Sequence, residues 1–359
     1  MTEEEGIRLG REGGLATILI DRPRALNALT LADYRQIDPA LRGWAANPSV
    51  HAVLVQGAGD RAFCAGGDVR AIYEAGRGIG GDPALSSVFF REEYEVIRQV
   101  HRYPKPYIAI IAGITMGGGA GMSVNGGYRI ATERTLFAMP ETSIGLFPDV
   151  GATHFLNRCP GRVGRYLALT GVRLKAADAR YCGFATHFVA QQRVAELVAG
   201  LGHIAWQPGH ERAQIDALLA AFVGDPGPAP LAELRRAIDR CFAPDTVEGI
   251  LEALAAEASR SAWAAQTRAD LLTKSPTSLK VTLRQLAVGH DFDLDAALAL
   301  EYRLTQHFMA GHDFYEGVRA MLVDKDQRPQ WRPATLAEVG EEMVAAHFAP
   351  LGAAELRFA

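Results

Sequence analysis

The sequence predicts an α/β fold that gives way to a helical C-terminal region. Two observations support this prediction. In the first half, short apolar runs of strand length alternate with helical patterns, and strand–helix–strand order requires crossover connections in a layered fold. After the Gly- and Pro-rich segment at 224–230, the remaining patterns are Ala-rich and helical. We therefore predict an α/β core over residues 1–190 and a helical region over residues 191–359.

Composition excludes several classes of protein. A chain of 359 residues, 48% of them hydrophobic, can bury a large core. Its net charge of −4 gives no basic excess, so we expect no nucleic-acid partner. The four cysteines lie far apart and form no CxxC pair, so we expect no metal site and no disulfide framework. No signal segment or membrane-length apolar run is visible. We therefore expect a cytoplasmic protein without a membrane partner.

The first elements follow from local patterns. Leu15–Ile20 and residues 51–56 are apolar enough to be buried strands, and the segment 31–44 between them is predicted to be a helix. Thr30 stands directly before that helix and is a suitable N-cap. Farther along, residues 193–199 are predicted to be a helix that ends at Gly200.

Two glycine elements each lie between a predicted strand and a predicted helix. Residues 61–68 (RAFCAGGD) follow the strand at 51–56, and residues 117–121 (GGGAG) follow the strand at 107–112. Each element can offer one backbone N–H to the same oxygen, which is how an oxyanion hole is built. Two ordinary tight turns are the alternative, but the repeated placement favours the functional interpretation.

Three carboxylates accompany these glycines. Glu141 stands at a predicted strand end, and Asp149 precedes a helical stretch, where its pattern predicts a helix N-cap. Glu93 falls on the apolar stripe of a predicted helix over 87–100, whereas Glu92 does not. Spacing alone leaves Glu93 equally well explained as a buried functional carboxylate or as a residue at the solvent rim.

These stretches resemble the crotonase superfamily, also called the enoyl-CoA hydratase/isomerase family. The matching motifs are AFCAGGD, MGGGAG and MPETSIG. Within the superfamily, the chain is most similar to 3-hydroxyisobutyryl-CoA hydrolases, through longer pieces that include FREEY, FAMPETSIGLFPDVG, SPTSLKVTLRQL and GHDFYEGVRAMLVDKDQRPQW. The resemblance covers nearly the whole chain, including a C-terminal extension that shorter hydratases lack.

The resemblance implies a crotonase-like spiral of ββα units that binds an acyl-CoA. Matched by position, the amides of Gly67 and Gly118 meet the thioester oxygen as an oxyanion hole. The hydrolase pattern supplies Glu93, Glu141 and Asp149, which changes the expectation for Asp149 from a cap to a catalytic or substrate-binding residue. Hydratases of the family use a further glutamate, where this chain has Gly121.

The activity implied is hydrolysis of a short 3-hydroxyacyl-CoA thioester, in particular 3-hydroxyisobutyryl-CoA, in valine catabolism. Glu141 would be either the nucleophile or the general base, and the sequence leaves both open. No cofactor is expected, because coenzyme A is part of the substrate. An enoyl-CoA hydratase or isomerase, or a non-catalytic acyl-CoA-binding subunit, remain alternatives. Family members often form trimers or hexamers, so a homo-oligomer is possible, although the C-terminal extension could cover those surfaces.

Overall fold

A computed structural model describes residues 6–358 of the chain. The strands are β1 (Ile7–Glu12), β2 (Leu15–Ile20), β3 (Ala52–Gly57), β4 (Ala62–Cys64), β5 (Tyr107–Ile111), β6 (Ile114–Met116), β7 (Tyr128–Ala131), β8 (Leu136–Ala138) and β9 (His187–Phe188). The helices up to the middle of the chain are α1 (Leu31–Ala46), α2 (Val69–Gly76), α3 (Leu85–His101), α4 (Gly118–Val124), α5 (Ala152–Leu156), α6 (Val163–Thr170), α7 (Ala176–Tyr181) and α8 (Val194–Gly202). The later helices are α9 (Glu211–Leu219), α10 (Pro230–Cys241), α11 (Val247–Ala258), α12 (Ala262–Leu271), α13 (Pro276–Val288), α14 (Leu294–Met309), α15 (Asp313–Val318) and α16 (Glu341–His347).

The chain divides into two compact units. The first unit comprises the residues up to Gly67 together with Glu95–Ala138 and Arg173–Ala232. The second comprises Asp68–Tyr94, Met139–Val172 and the residues from Glu233 onward. The boundary predicted at residue 190 separates α/β from helical structure along the sequence. It does not describe these two units, and it stays a prediction.

The first unit contains two sheets. One has six strands in the order β1-β2-β3-β5-β7-β9, with β1 antiparallel to β2 and every other neighbouring pair parallel. The other has three parallel strands in the order β4-β6-β8. Each successive strand pair, β3/β4, β5/β6 and β7/β8, gives one strand to each sheet. This regular alternation is the spiral of repeating units that was predicted, and the α/β class is confirmed.

Apolar side chains explain why these strands lie in the middle of the first unit. All five residues of β5 (YIAII) are buried, as expected for a strand covered on both faces of a parallel sheet. On one face, Ile108 packs in a cluster with Leu197 of α8 and Leu219 of α9. Each such side chain removed from water contributes roughly 1.5–3 kcal/mol to stability. Burial on both faces therefore explains why β5 lies in the core of the first unit.

Local signals in the first unit succeeded at one helix end and failed at another. Thr30 caps α1 in a reciprocal capping box, in which the Thr30 N–H donates to Asp33 Oδ2 at 2.7 Å. The predicted end at Gly200 is wrong, since α8 continues to Gly202. A Cβ atom at position 200 would lie 3.1 Å from Leu218 Cδ1, so this glycine allows close helix packing and does not end the helix.

The second unit is built mainly from helices, so the predicted helical C-terminal region is confirmed. Helix α13 begins with favourable signals: Ser275 accepts the Ser278 N–H, and Pro276 occupies the first turn. Helices α13 and α14 both pack against α5. Among residues 6–358, no helix combines the length and the apolar character needed to cross a bilayer.

Candidate active site

Parallel strand ends bring the two glycine elements together in the first unit. Strands β4 and β6 are parallel neighbours, so the segments that leave their carboxyl ends meet at the same edge of the sheet. Gly66 has a φ of 118°, and a Cβ atom there would lie 3.6 Å from the amide nitrogen of Gly118. Beside it, Gly67 forms an isolated parallel bridge with Leu29. The two glycine elements therefore lie next to each other, as an oxyanion hole requires.

The second glycine element is shaped by close backbone contact. Gly117 has a φ of 48° and a ψ of −125°, a conformation that favours glycine, and Gly118 then opens α4. A Cβ atom at Gly119 would collide with the carbonyl of Cys64. Because the first N–H groups of a helix have no acceptor within that helix, the Gly118 N–H is not used by α4 itself. This geometry suits an amide that binds an external oxygen.

Four of the buried carboxylates in the second unit influence one another electrostatically. Their exposed fractions are at most 5%, for Glu93, Glu141, Asp149 and Glu301. The first three were predicted from the sequence, whereas Glu301 of α14 was not. The charges of the other three all raise the pKa of Glu141, so the four belong to one electrostatic cluster. Buried acids of this kind resist ionisation and are typical of proton-transfer sites.

Glu141 begins a short 3-10 helix, Glu141–Ile144, that directly follows Pro140. Gly145 ends this helix with a φ of 69°, and the Thr142 hydroxyl ties it to the Leu169 carbonyl at 3.1 Å. The Oε2 atom of Glu141 is buried and has no hydrogen-bond partner among the described residues. Burial raises the pKa of Glu141 well above its ordinary value, and the charge of Asp149 raises it further. Once ionised, such an oxygen is a strong base or nucleophile.

Asp149 is held by Tyr94, which was not among the predicted site residues. The Tyr94 hydroxyl donates a hydrogen bond of 2.6 Å to Asp149 Oδ2, and both residues are buried. Burial raises the pKa of Asp149 to about 6, while the bond from Tyr94 acts in the opposite direction. The local prediction of Asp149 as a helix N-cap is wrong, because Gly151 occupies that position before α5.

Glu93 faces the interior of the second unit. It is 2% exposed, while Glu92 is half-buried, so the helical stripe predicted the correct register for α3.

Two site residues, Tyr94 and Glu301, were not predicted because their sequence signals are weaker. Tyr94 follows Glu93 directly in FREEY, and Glu301 stands in the apolar stretch ALALEYRL. A single acid in such a stretch indicates a buried carboxylate that needs partners.

Glu301 is completely buried in α14. Its Oε2 atom accepts the Gly151 N–H at 2.7 Å, and its Oε1 atom accepts the Thr153 N–H at 2.8 Å. Burial raises the pKa of Glu301 to about 8, although both hydrogen bonds favour the ionised form. Burial therefore raises the pKa values of several carboxyl groups in the second unit. Acid–base catalysis near neutral pH requires carboxyl groups with pKa values raised in this way.

Comparison with known proteins assigns the chain to a family. The pattern that defines the enoyl-CoA hydratase/isomerase family matches residues 15–348. This protein belongs to the enoyl-CoA hydratase/isomerase family. The resemblance seen in its glycine and MPETSIG motifs is thereby confirmed.

Relatives within this family are similar over almost their whole lengths. A protein from Danio rerio named 3-hydroxyisobutyryl-CoA hydrolase, mitochondrial, is 48% identical over 96% of this chain and 90% of its own. A protein of the same name from Homo sapiens is 46% identical over 99% of this chain and 91% of its own.

Two solved structures of similar proteins have the same fold. A carnitinyl-CoA dehydratase from Mycobacterium thermoresistibile has a TM-score of 0.90 and 40% identity, with 99% of both chains covered. An enoyl-CoA hydratase from Rhodobacter sphaeroides has a TM-score of 0.89 and 38% identity, with 99% of this chain and 100% of that chain covered. The crotonase-like fold is therefore confirmed, including its C-terminal region.

The same relatives overturn one expectation. The sequence predicted a cytoplasmic protein, but the similar proteins from frog, fish and human are all named as mitochondrial. The predicted location is wrong. The lack of a visible signal segment or membrane-length apolar run was insufficient ground for it.

Proposed function

We propose that this protein hydrolyses the thioester of 3-hydroxyisobutyryl-CoA to 3-hydroxyisobutyrate and coenzyme A, a step of valine catabolism. The observation that supports this proposal is the likeness, at 44–48% identity over at least 96% of the chain, to proteins named 3-hydroxyisobutyryl-CoA hydrolase. The three carboxylates that the resemblance assigns to such hydrolases are present and buried.

The reaction places a negative charge on the thioester oxygen. Water delivers a hydroxyl group to the carbonyl carbon, the carbon–sulfur bond breaks, and the departing thiolate of coenzyme A takes the proton. In this proposal the amides of Gly67 and Gly118 stabilise the oxyanion of the tetrahedral intermediate. One well-placed donor of this kind is worth roughly 3–4 kcal/mol in the transition state.

Glu141 would drive the attack on the carbonyl carbon. As a nucleophile, its carboxylate would displace the thiolate and form a transient anhydride, which water then hydrolyses. As a general base, it would take a proton from the attacking water. A buried Oε2 atom without a partner among the described residues supports either role.

Asp149 and Glu93 would bind the 3-hydroxyl group of the acyl chain or help to activate water. Both are buried acids whose acceptor oxygens suit a hydroxyl donor. The proposed chemistry requires no metal and no redox cofactor, because coenzyme A enters as part of the substrate. An acyl-CoA is accordingly the small-molecule partner that we propose.

Hydration of an enoyl-CoA is the second candidate. It is favoured by the names of the two similar structures, a carnitinyl-CoA dehydratase and an enoyl-CoA hydratase. Hydratases of the family use two glutamates, and by resemblance the position of the first is Gly121 here. Since glycine has no acid or base, hydrolysis is the better supported activity.

The test compares two reactions of the purified protein. Thiol release from 3-hydroxyisobutyryl-CoA and 3-hydroxypropionyl-CoA is followed with a thiol reagent, and hydration of crotonyl-CoA is followed by the loss of enoyl absorbance. We expect kcat/KM for thiol release to exceed that for hydration. The reverse ratio would favour a hydratase, and binding of acyl-CoA without either reaction would favour a non-catalytic subunit.

A further inference from the structure

The segment that carries Asp149 has an unusual backbone. Val150 has a φ of 57°, in a region that β-branched residues rarely adopt, and Gly151 follows with a φ of 91°. Such a conformation persists only where the surroundings hold it in place. The position of the Asp149 carboxylate therefore depends on the groups that fix this turn.

Glu301 is the side chain that fixes the later half of the turn. Its two carboxylate oxygens accept the N–H groups of Gly151 and Thr153 at 2.7 and 2.8 Å. A carboxyl group can accept a hydrogen bond at each of its two oxygens, so one side chain fixes two backbone N–H groups of the turn. Because each oxygen is engaged by the backbone, Glu301 acts on the turn and not on a substrate.

The earlier half of the turn is fixed from α13. The Gln285 side-chain amide is buried, and its Nε2 atom donates to the Pro148 carbonyl and to the Thr153 hydroxyl, both at 2.8 Å. Pro148 and Gly151 flank the segment of Asp149 and Val150. Two side chains of the helical C-terminal region therefore hold the backbone on both sides of Asp149.

We infer that Glu301 is a positioning residue for Asp149, supplied to the catalytic cluster by α14. This inference rests on the proposed function, in which Asp149 acts on the substrate. Its consequence is that the C-terminal region contributes to turnover, although Glu301 itself touches no reacting atom.

The experiment is a double-mutant cycle of Glu301→Gln and Asp149→Asn, measured on 3-hydroxyisobutyryl-CoA. Glutamine keeps one acceptor but turns an NH₂ group toward the second backbone N–H, so the turn must shift. We expect E301Q to lower kcat at least about tenfold while KM changes by less than about twofold. In the D149N background, E301Q should lower kcat by less than about twofold, because the residue it positions is already disabled. The exposed Glu252→Gln is the matched control and should leave kcat unchanged.

Hydrogen exchange gives a second readout that does not depend on activity. The amides of Gly151 and Thr153 should exchange faster in E301Q than in the wild type, whereas E252Q should leave them unchanged. If E301Q does not fold, Glu301→Asp replaces it, since a carboxylate shortened by one methylene cannot keep both bonds.

The outcomes separate the inference from the proposed function. Equal loss of kcat from E301Q in both backgrounds, or unchanged amide exchange, would overturn the positioning role. Wild-type kcat in D149N would overturn the role proposed for Asp149 and the inference with it. A wild-type protein that releases no thiol would overturn the proposed function, while the exchange experiment would still test whether Glu301 holds the turn.

Discussion

The hydroxyl of Tyr94 donates a 2.6 Å hydrogen bond to Oδ2 of Asp149. Neither residue is more than 4% exposed, so the bond forms away from water and favours the ionised carboxylate. Tyr94 stands beside Glu93 in α3, and two consecutive residues of FREEY therefore belong to the carboxylate cluster of the second unit.

Removing this bond should make Asp149 harder to ionise. Its pKa is about 6, with burial raising it and the Tyr94 bond lowering it. The Tyr94→Phe substitution removes the hydrogen bond that lowers the pKa of Asp149. The acidic limb of the plot of kcat against pH should therefore move to higher pH by about one unit.

The matched control is Tyr103→Phe, which removes a different buried tyrosine bond, the one donated to the Leu41 carbonyl. Its profile should coincide with that of the wild type. An unshifted limb in Y94F would show that Asp149 does not control the acidic side of the profile.

Periodicity predicted the buried part of the fold well and the exposed part poorly. The strand Leu15–Ile20 was predicted with its observed bounds, because its apolar residues dictate where it packs. Strand β1 was missed: five of its six residues are exposed, and its place is decided by pairing with β2 and not by its own side chains.

The residues of the candidate site were also predicted only in part, because some of them are placed by contacts between distant parts of the chain. Glu93, Glu141 and Asp149 stand in recognisable motifs, whereas Glu301 lies 152 positions after Asp149 and reaches its turn only through helix packing. The local pattern predicted the wrong role for Asp149, because the sequence alone does not show that Gly151 takes the N-cap position of α5. Long-range contacts of this kind depend on tertiary structure.

Glu141→Gln should nearly abolish turnover while leaving the fold intact. The substitution keeps the volume of the side chain but removes the base or nucleophile, and its Oε2 atom makes no hydrogen bond within the described residues that would be lost. We expect kcat/KM for thiol release to fall by more than tenfold, which corresponds to at least ~1.4 kcal/mol of transition-state stabilisation. A variant that keeps a tenth or more of the wild-type kcat/KM would contradict the assignment.

Gly118→Val should weaken both catalysis and acyl-CoA affinity. If the Gly118 N–H points at the thioester oxygen, a branched side chain beside it crowds the ligand. The measurements are kcat/KM and the Kd for an acyl-CoA, with a thermal melt to verify folding. Gly43→Ala is the control, because a Cβ atom at this exposed glycine of α1 meets no other atom within 4 Å. Unchanged kinetics in G118V would mean that the glycine element is only a turn.

Glu93→Gln should impair turnover more than Glu92→Gln. The two residues are adjacent in α3, but Glu93 is 2% exposed and contributes to the charge around Glu141, whereas Glu92 is half-buried. We expect kcat to fall about tenfold or more in E93Q and to stay within about twofold in E92Q. The opposite ranking would be inconsistent with a substrate role for Glu93.

The raised pKa of Glu141 also predicts how stability changes with pH. In the unfolded chain a glutamate has a pKa of about 4.3, whereas burial raises the pKa of Glu141 in the folded state well above that value. Between these two values the folded state binds more protons than the unfolded state, so the contribution of Glu141 to stability falls as pH rises. Glutamine cannot ionise, while Asp149 and Glu301 remain in both proteins. The Tm of E141Q minus that of the wild type should therefore be small near pH 4 and grow in favour of E141Q toward pH 8. Thermal melts across this range measure the difference, with the exposed Glu252→Gln as a control that should show no trend. A difference independent of pH would mean that Glu141 ionises in the folded protein as readily as in the unfolded chain.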